Sequence, residues 1–185
     1  MLSIESTKLK ISKTKNFSLV TISMSIKAAV ITVSDRCAAG ESIDLSGPAL
    51  IQELQSLGAD IAATKIVSDD RDALSSLLRD ICDRHTANLI LTTGGTGFSP
   101  RDNTPEATLA VIEREAPGLS EAMRAATVKN TPMAMTSRGI SGTCKGTLIV
   151  NLPGSPKGAV ECFAVIKPVL GHIISLLEGK PHTQA

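Results

Sequence analysis

The 185 residues are 42% apolar and 20% charged, enough for one domain with a real core, and a formal net charge of +1 leaves no basic footprint for nucleic acid. Trp and Tyr are absent, and the only aromatics, Phe17, Phe98 and Phe163, give bases almost nothing to stack on. No apolar run reads as long enough to span a bilayer, so neither a nucleic-acid nor a membrane partner is expected.

Residues 1–25 are rich in Ser and Thr, with Lys8, Lys10, Lys13 and Lys15 against Glu5, and are expected to be a disordered or targeting tail. Asn16-Phe17-Ser18 matches a glycosylation sequon, but no signal peptide precedes it. A domain over 26–180 and a short tail over 181–185 complete the expected organisation. The first strand is Ala28–Val33, a β-branched apolar run suited to a buried parallel position. A polar loop through Gly40 and Asp44 follows, and Ser46-Gly47-Pro48 opens a helix over Ala49–Leu57 that Gly58 closes. Ile61–Val67 alternates as a second strand. Ser68-Asp69-Asp70 caps a helix over Arg71–Arg84, with Leu74, Leu77, Leu78 and Ile81 on one face. Leu89–Thr92 is the third strand.

That strand breaks into Gly94-Gly95-Thr96-Gly97 and then Arg101-Asp102. A helix should start with Thr104 as N-cap and Pro105 at its first position, and run to about Glu115. Pro117-Gly118 breaks it, Leu119–Val128 is helical again, and Asn130-Thr131-Pro132 turns. A short strand is expected near Ile140 and a last one over Leu148–Asn151. Pro153-Gly154-Ser155-Pro156 leads into a helix to about Glu178, which Pro168 should kink or divide. Strands alternating with helices predict an α/β fold with a mostly parallel sheet covered on both faces. Ligands of such sheets bind outside the strand C-terminal ends. Four loops fall there: Ser34–Asp35, Ser68–Asp70, Gly94–Asp102 and Pro153–Pro156.

Glycines let backbone N–H groups approach an anion, so Gly94–Gly97 reads as a phosphate loop or as a plain strand-to-helix turn. The loop lacks the Lys of a P-loop and fails the dinucleotide pattern. Asp69 and Asp102 leave neighbouring strand ends and suit a Mg²⁺ ion bridging nucleotide phosphates; an N-cap and a turn residue are the plainer alternatives. Arg101 is able to pair with phosphate. Asp35, Asp44 and Ser46 either contact a sugar or base or shape their loop, and Ser137-Arg138 either binds an anion or lies on the surface. Cys37, Cys82, Cys144 and Cys162 lack metal-ligand spacing and read as reduced thiols of a cytoplasmic protein. His85, His172 and His182 sit beside no nucleophile.

Taken together, Val33-Ser34-Asp35-Arg36, Asp44 with Ser46-Gly47-Pro48, Val67-Ser68-Asp69 and Leu91–Asp102 resemble the MogA and gephyrin G-domain family of molybdopterin adenylyltransferases. Thr104–Thr108, Ile112–Gly118, Ser137-Arg138 and Asn151–Pro156 extend that resemblance over nearly the whole chain past residue 26. It implies a three-layer α/β/α domain, assembled as a homotrimer, that transfers AMP from Mg-ATP to the terminal phosphate of molybdopterin. The resemblance assigns catalysis and the metal to Asp69 and Asp102. It assigns the nucleotide to Ser34, Asp35, Ser46, Gly47, Gly94, Gly95, Thr96, Gly97, Pro153, Gly154 and Ser155. Ser137, with Arg138 beside it, falls to the pterin. Molybdate insertion then belongs to a separate protein. Ser68 stands where many members carry Pro. Two rival readings share the fold: a CinA-like nucleotide pyrophosphatase, and a non-catalytic molybdopterin-binding scaffold.

Overall fold

The computed structural model describes residues 26–179, so the expected tails at 1–25 and 181–185 lie outside the described residues. The strands are β1 (Lys27–Val33), β2 (Asp60–Val67), β3 (Leu89–Thr93), β4 (Arg114–Glu115), β5 (Ser141–Cys144) and β6 (Thr147–Leu152). The helices are α1 (Asp35–Ala38), α2 (Ser46–Ser56), α3 (Arg71–Asp83), α4 (Thr104–Leu109), α5 (Pro117–Thr127) and α6 (Pro156–Leu177). A 3-10 turn occupies Pro132–Thr136.

The strands form one sheet in the order β2-β1-β3-β6-β5-β4. The first four are parallel, and β5 and β4 are antiparallel additions at one edge. Alternate residues of each central strand point to opposite faces. Val30, Leu89, Leu91, Leu148, Val150 and Leu152 meet Leu50 of α2, Met123 of α5 and Phe163 of α6. Ala29, Ile31, Ile90 and Ile149 meet Leu74 and Leu78 of α3 and Ala107 of α4. The result is the three-layer α/β/α arrangement expected of alternating strands and helices. β1 lies next to the edge, with the edge strand β2 on one side and β3 on the other. The strand order reverses between β1 and β3, and crevices open outside the carboxyl ends at such a point.

Several elements depart from the sequence reading. Ser34 caps α1, a four-residue helix in what reads as loop, through its Oγ to Cys37 N (3.3 Å). α4 ends at Leu109 instead of continuing to Glu115. Val111 and Ile112 N–H both turn back to Thr108 O, and the bonds Glu113 N to Thr143 O and Ala116 N to Ser141 O draw the next residues onto β5 as β4. Thr104 is not the cap: Asn103 precedes the helix without a side-chain cap bond, and the buried Thr104 hydroxyl donates to Gly94 O (2.9 Å). Pro168 does not divide α6, which buries Phe163 and Ile166 before the proline and Leu170 and Ile174 after it. α6 also corrects the reading of apolar length, since by length and composition alone it is able to cross a membrane. In this fold its buried stripe packs on the sheet.

Candidate functional site

Parallel pairing brings the exits of β1, β2, β3 and β6 to one edge of the sheet. At its centre the backbone of Gly94 (φ +102) passes so close to β1 that a Cβ would stand 2.2 Å from Val33 O. A Cβ on Gly154 would stand 3.1 Å from Gly94 Cα. Glycine is required at Gly94, and a side chain at Gly154 would crowd the crossing. The two loops form a ridge between two cavities. The α1-side cavity, about 260 Å³, is lined by Ser34, Asp44, Ser46, Thr93, Gly94 and Gly154. The α5-side cavity, about 400 Å³, is lined on the ridge by Gly95, Thr96, Gly97 and Asp102, with Pro153, Gly154 and Ser155 beside them. Its far wall carries Met123, Arg124, Met133 and Ser137.

The ridge is built to leave donors free. Gly94 N–H is spent on Leu152 O (3.2 Å), while the carbonyls of Gly95 and Thr96 accept from Thr104 N (3.1 Å) and Arg138 N (2.9 Å). Among the described residues, no acceptor takes the N–H groups of Gly95, Thr96 or Gly97. Three backbone donors on a glycine turn make an anion cradle.

Two carboxylates flank the cradle, each with one oxygen tied down. Asp69 Oδ2 accepts from Asp35 N (2.8 Å), and Asp69 Oδ1 lies where a Cβ on Gly95 would approach to 2.9 Å. Asp102 Oδ2 accepts from Ser99 N (2.8 Å) and lies beside Gly97. The cap of α3 is Asp70, whose Oδ1 takes Ala73 N (2.8 Å), so Asp69 is not consumed as a cap. Burial raises the Asp69 pKa above the usual carboxylate value; the Asp35 N–H opposes this, and the Asp35 and Asp102 charges add to it. Asp69 and Asp102 would hold a cation, whose charge would offset theirs. Among the described residues no cluster of three or more His, Cys, Asp or Glu forms a metal centre. Two carboxylates fit Mg²⁺, which takes one or two protein oxygens and fills its shell with phosphate and water.

The remaining residues singled out in the sequence mostly hold these parts in place. Arg101 does not face the cavities as a free cation: its Nε and Nη2 grip Asp35 (2.9 and 2.8 Å). Asp35 Oδ1 also receives Asp69 N (3.0 Å). Arg101 first, and then the Asp69 N–H, hold the Asp35 carboxyl below its ordinary value. Arg138 spends its guanidinium inside the protein, on Gly97 O (2.6 Å), on Glu106 and on Asp102 O, with the Phe98 ring 5.8 Å away. Asp44 accepts from Ser46 N, Gly47 N and the Ser46 hydroxyl, and its other oxygen takes the Thr32 hydroxyl (2.7 Å). Gly47 faces a separate crevice with Pro48 and Ile51. Ser137 Oγ accepts from Gly139 N (3.3 Å), and Ser155 caps α6 through Gly158 N (3.2 Å). Arg124 and Met133 join the α5-side wall with no local motif to announce them; only a fold that sets α5 beside the ridge brings them in.

A parallel sheet with an anion cradle and two carboxylates at its switch point defines an open α/β domain of the ligand-binding kind. A family model described as a probable molybdopterin binding domain matches residues 29–172, and the chain belongs to that family. A molybdopterin adenylyltransferase of Helicobacter pylori is 40% identical over 157 residues, 83% of this chain and 89% of that protein. The molybdenum cofactor synthesis protein cinnamon of Drosophila melanogaster is 44% identical over 157 residues, and the matched part spans 26% of its length. Among solved structures, the molybdopterin biosynthesis enzyme MoaB of Thermus thermophilus superposes with a TM-score of 0.80 at 46% identity, covering 84% of this chain and 98% of that one.

Proposed function

We propose that this chain adenylylates molybdopterin in molybdenum cofactor biosynthesis. An oxygen of the molybdopterin terminal phosphate forms a bond to the α-phosphorus of ATP. The bond from that phosphorus to the β-phosphate oxygen breaks, and pyrophosphate leaves. The nucleophile is already an anion, so no strong general base is needed; positioning and charge neutralisation carry the reaction. The observation that carries the reading is the ridge itself: three free N–H donors with Asp69 and Asp102 beside them, between two cavities.

In this reading the α1-side cavity, with Ser34, Asp44 and Ser46, takes the nucleotide, and the α5-side cavity, with Ser137, takes the pterin. Gly95–Gly97 hold the reacting phosphate in line, and Arg138 acts as a positioning residue for that loop. Asp69 and Asp102 would hold Mg²⁺, which would supply charge neutralisation on the triphosphate and the departing pyrophosphate. A homotrimer in the cytoplasm, handing its product to a separate molybdate-inserting protein, completes the proposal. The test is incubation with molybdopterin, Mg²⁺ and α-labelled ATP. Label on the pterin with matching pyrophosphate release supports the reading. AMP release without an acceptor points instead to a pyrophosphatase, and tight binding without transfer to a scaffold.

A further inference from the structure

Three arginines surround the ridge, and two are paired with carboxylates: Arg101 with Asp35, and Arg138 with Glu106 as well as the Gly97 and Asp102 carbonyls. Arg124 differs. It sits half-buried on α5, and among the residues lining the α5-side cavity it is the sole cation. Its Nη1 donates to Gly139 O (2.9 Å), which uses one of the five N–H donors of a guanidinium. Among the described residues no carboxylate lies within ion-pair distance of it. Glu161 lines the same cavity, but its ion-pair partner is Lys157 at 3.9 Å. Arginines withdrawn from solvent are ordinarily paired. A half-buried arginine anchored at one corner, with its remaining donors unmatched on a cavity wall, is an anion-binding group awaiting its ligand.

We propose that Arg124 binds the ene-dithiolate of molybdopterin. This rests on the functional reading above. The substrate carries two centres of negative charge, its phosphate and its pair of sulfurs. The ridge donors take the phosphate, so the charge that enters the α5-side cavity with the pterin is that of the sulfurs. The surrounding wall of Met123, Thr127 and Cys162 offers no other cation to offset it. Guanidinium is weakly hydrated and polarisable, which suits it to a diffuse thiolate charge in a half-buried place.

The experiment is a titration of wild type, R124Q and R124K with molybdopterin, with its di-S-methylated derivative, which keeps the phosphate but carries no thiolate charge, and with Mg-ATP. The chain has no Trp or Tyr, so pterin fluorescence is read against a dark protein. R124Q should weaken molybdopterin roughly tenfold or more, as loss of a charge-assisted contact does. It should leave the di-S-methylated derivative and Mg-ATP unchanged. R124K keeps the charge but loses the fork, and should weaken molybdopterin about threefold, again selectively. If R124Q fails to fold, R124K decides by the same selectivity. Equal loss of molybdopterin and its di-S-methylated derivative marks a phosphate contact or a merely structural role through Gly139 and overturns the proposal, as does unchanged molybdopterin affinity. A wild type that binds no pterin overturns the functional reading and this assignment together.

Discussion

The two walls of the α5-side cavity are made differently. The ridge wall is cross-linked: Arg138 and Thr104 bind the loop over Gly94–Asp102 from outside, the Ser99 N–H to Asp102 bond closes it internally, and Arg101 ties that loop to the exit of β1. The opposite wall, from the end of α5 through Pro132–Thr136, is held by near-neighbour bonds such as Met133 N to Thr131 Oγ1 (3.3 Å) and Thr136 Oγ1 to Met133 O (2.8 Å). It leaves Met133 67% and Met135 69% exposed. The contrast matches two tasks. Phosphoryl transfer needs donors fixed before the reaction begins, since reorganising them would cost rate. Enclosing a bicyclic ring needs apolar surface that adapts, which unbranched methionine supplies.

The contrast can be broken first at the cross-linked wall. Asp102→Asn keeps an acceptor for Ser99 N but removes the charge, and turnover should fall on the order of 1,000-fold with the melting temperature nearly unchanged. Near-normal transfer at saturating Mg-ATP would remove Asp102 from the mechanism. Arg138→Met strands Glu106 and two loop carbonyls, and should cost about 3 kcal/mol of stability in urea unfolding. A loss no larger than that of an ordinary surface substitution would show that the loop holds without its clamp.

Asp69 sharpens the comparison through pH. Burial and neighbouring carboxylates raise its pKa in the folded protein above 3.8, so the folded state keeps the proton longer than the unfolded one. Its ionisation therefore costs stability, which is lost as pH rises from 3.8 through the raised folded value. Asp69→Asn removes that cost. The variant should melt a few degrees above the parent at neutral pH, lose the advantage below about pH 3.8, and be nearly inactive throughout. Equal melting at neutral pH would show that the carboxylate is not strained. The smallest effect belongs to the adaptable wall: Met133→Ala should raise KM for the pterin substrate about threefold and leave kcat alone. A fall in kcat with KM unchanged would place Met133 nearer the chemistry than its exposure suggests.

Legibility in the sequence followed the range of the interactions. β1, β3 and β6 announce themselves because a strand buried on both faces must be apolar throughout. The four ligand-facing loops follow from parallel topology, and Asp69 and Asp102 from standing at strand exits. β4 was invisible, since two exposed charged residues carry no periodicity and pair only because β5 is there to receive them. The roles of Arg101 and Arg138 were equally hidden. Each clamps residues far away in the chain, 66 positions for Asp35 and 41 for Gly97, and no local pattern records such a bond. Arg124 had no signal because its meaning lies in what it is not paired with.

The crossing of Gly94 over β1, with Gly154 resting on it, bears on how this domain can evolve. Every single-base change in a glycine codon that replaces the residue by another amino acid adds at least a Cβ. At Gly94 that atom collides with a β1 carbonyl, and at Gly154 it presses on the Gly94 backbone. Neither atom struck is the tip of a side chain that can swing aside. Gly94 is therefore a position where lineages cannot drift stepwise, and variation in ligand preference has to accumulate on the walls around it.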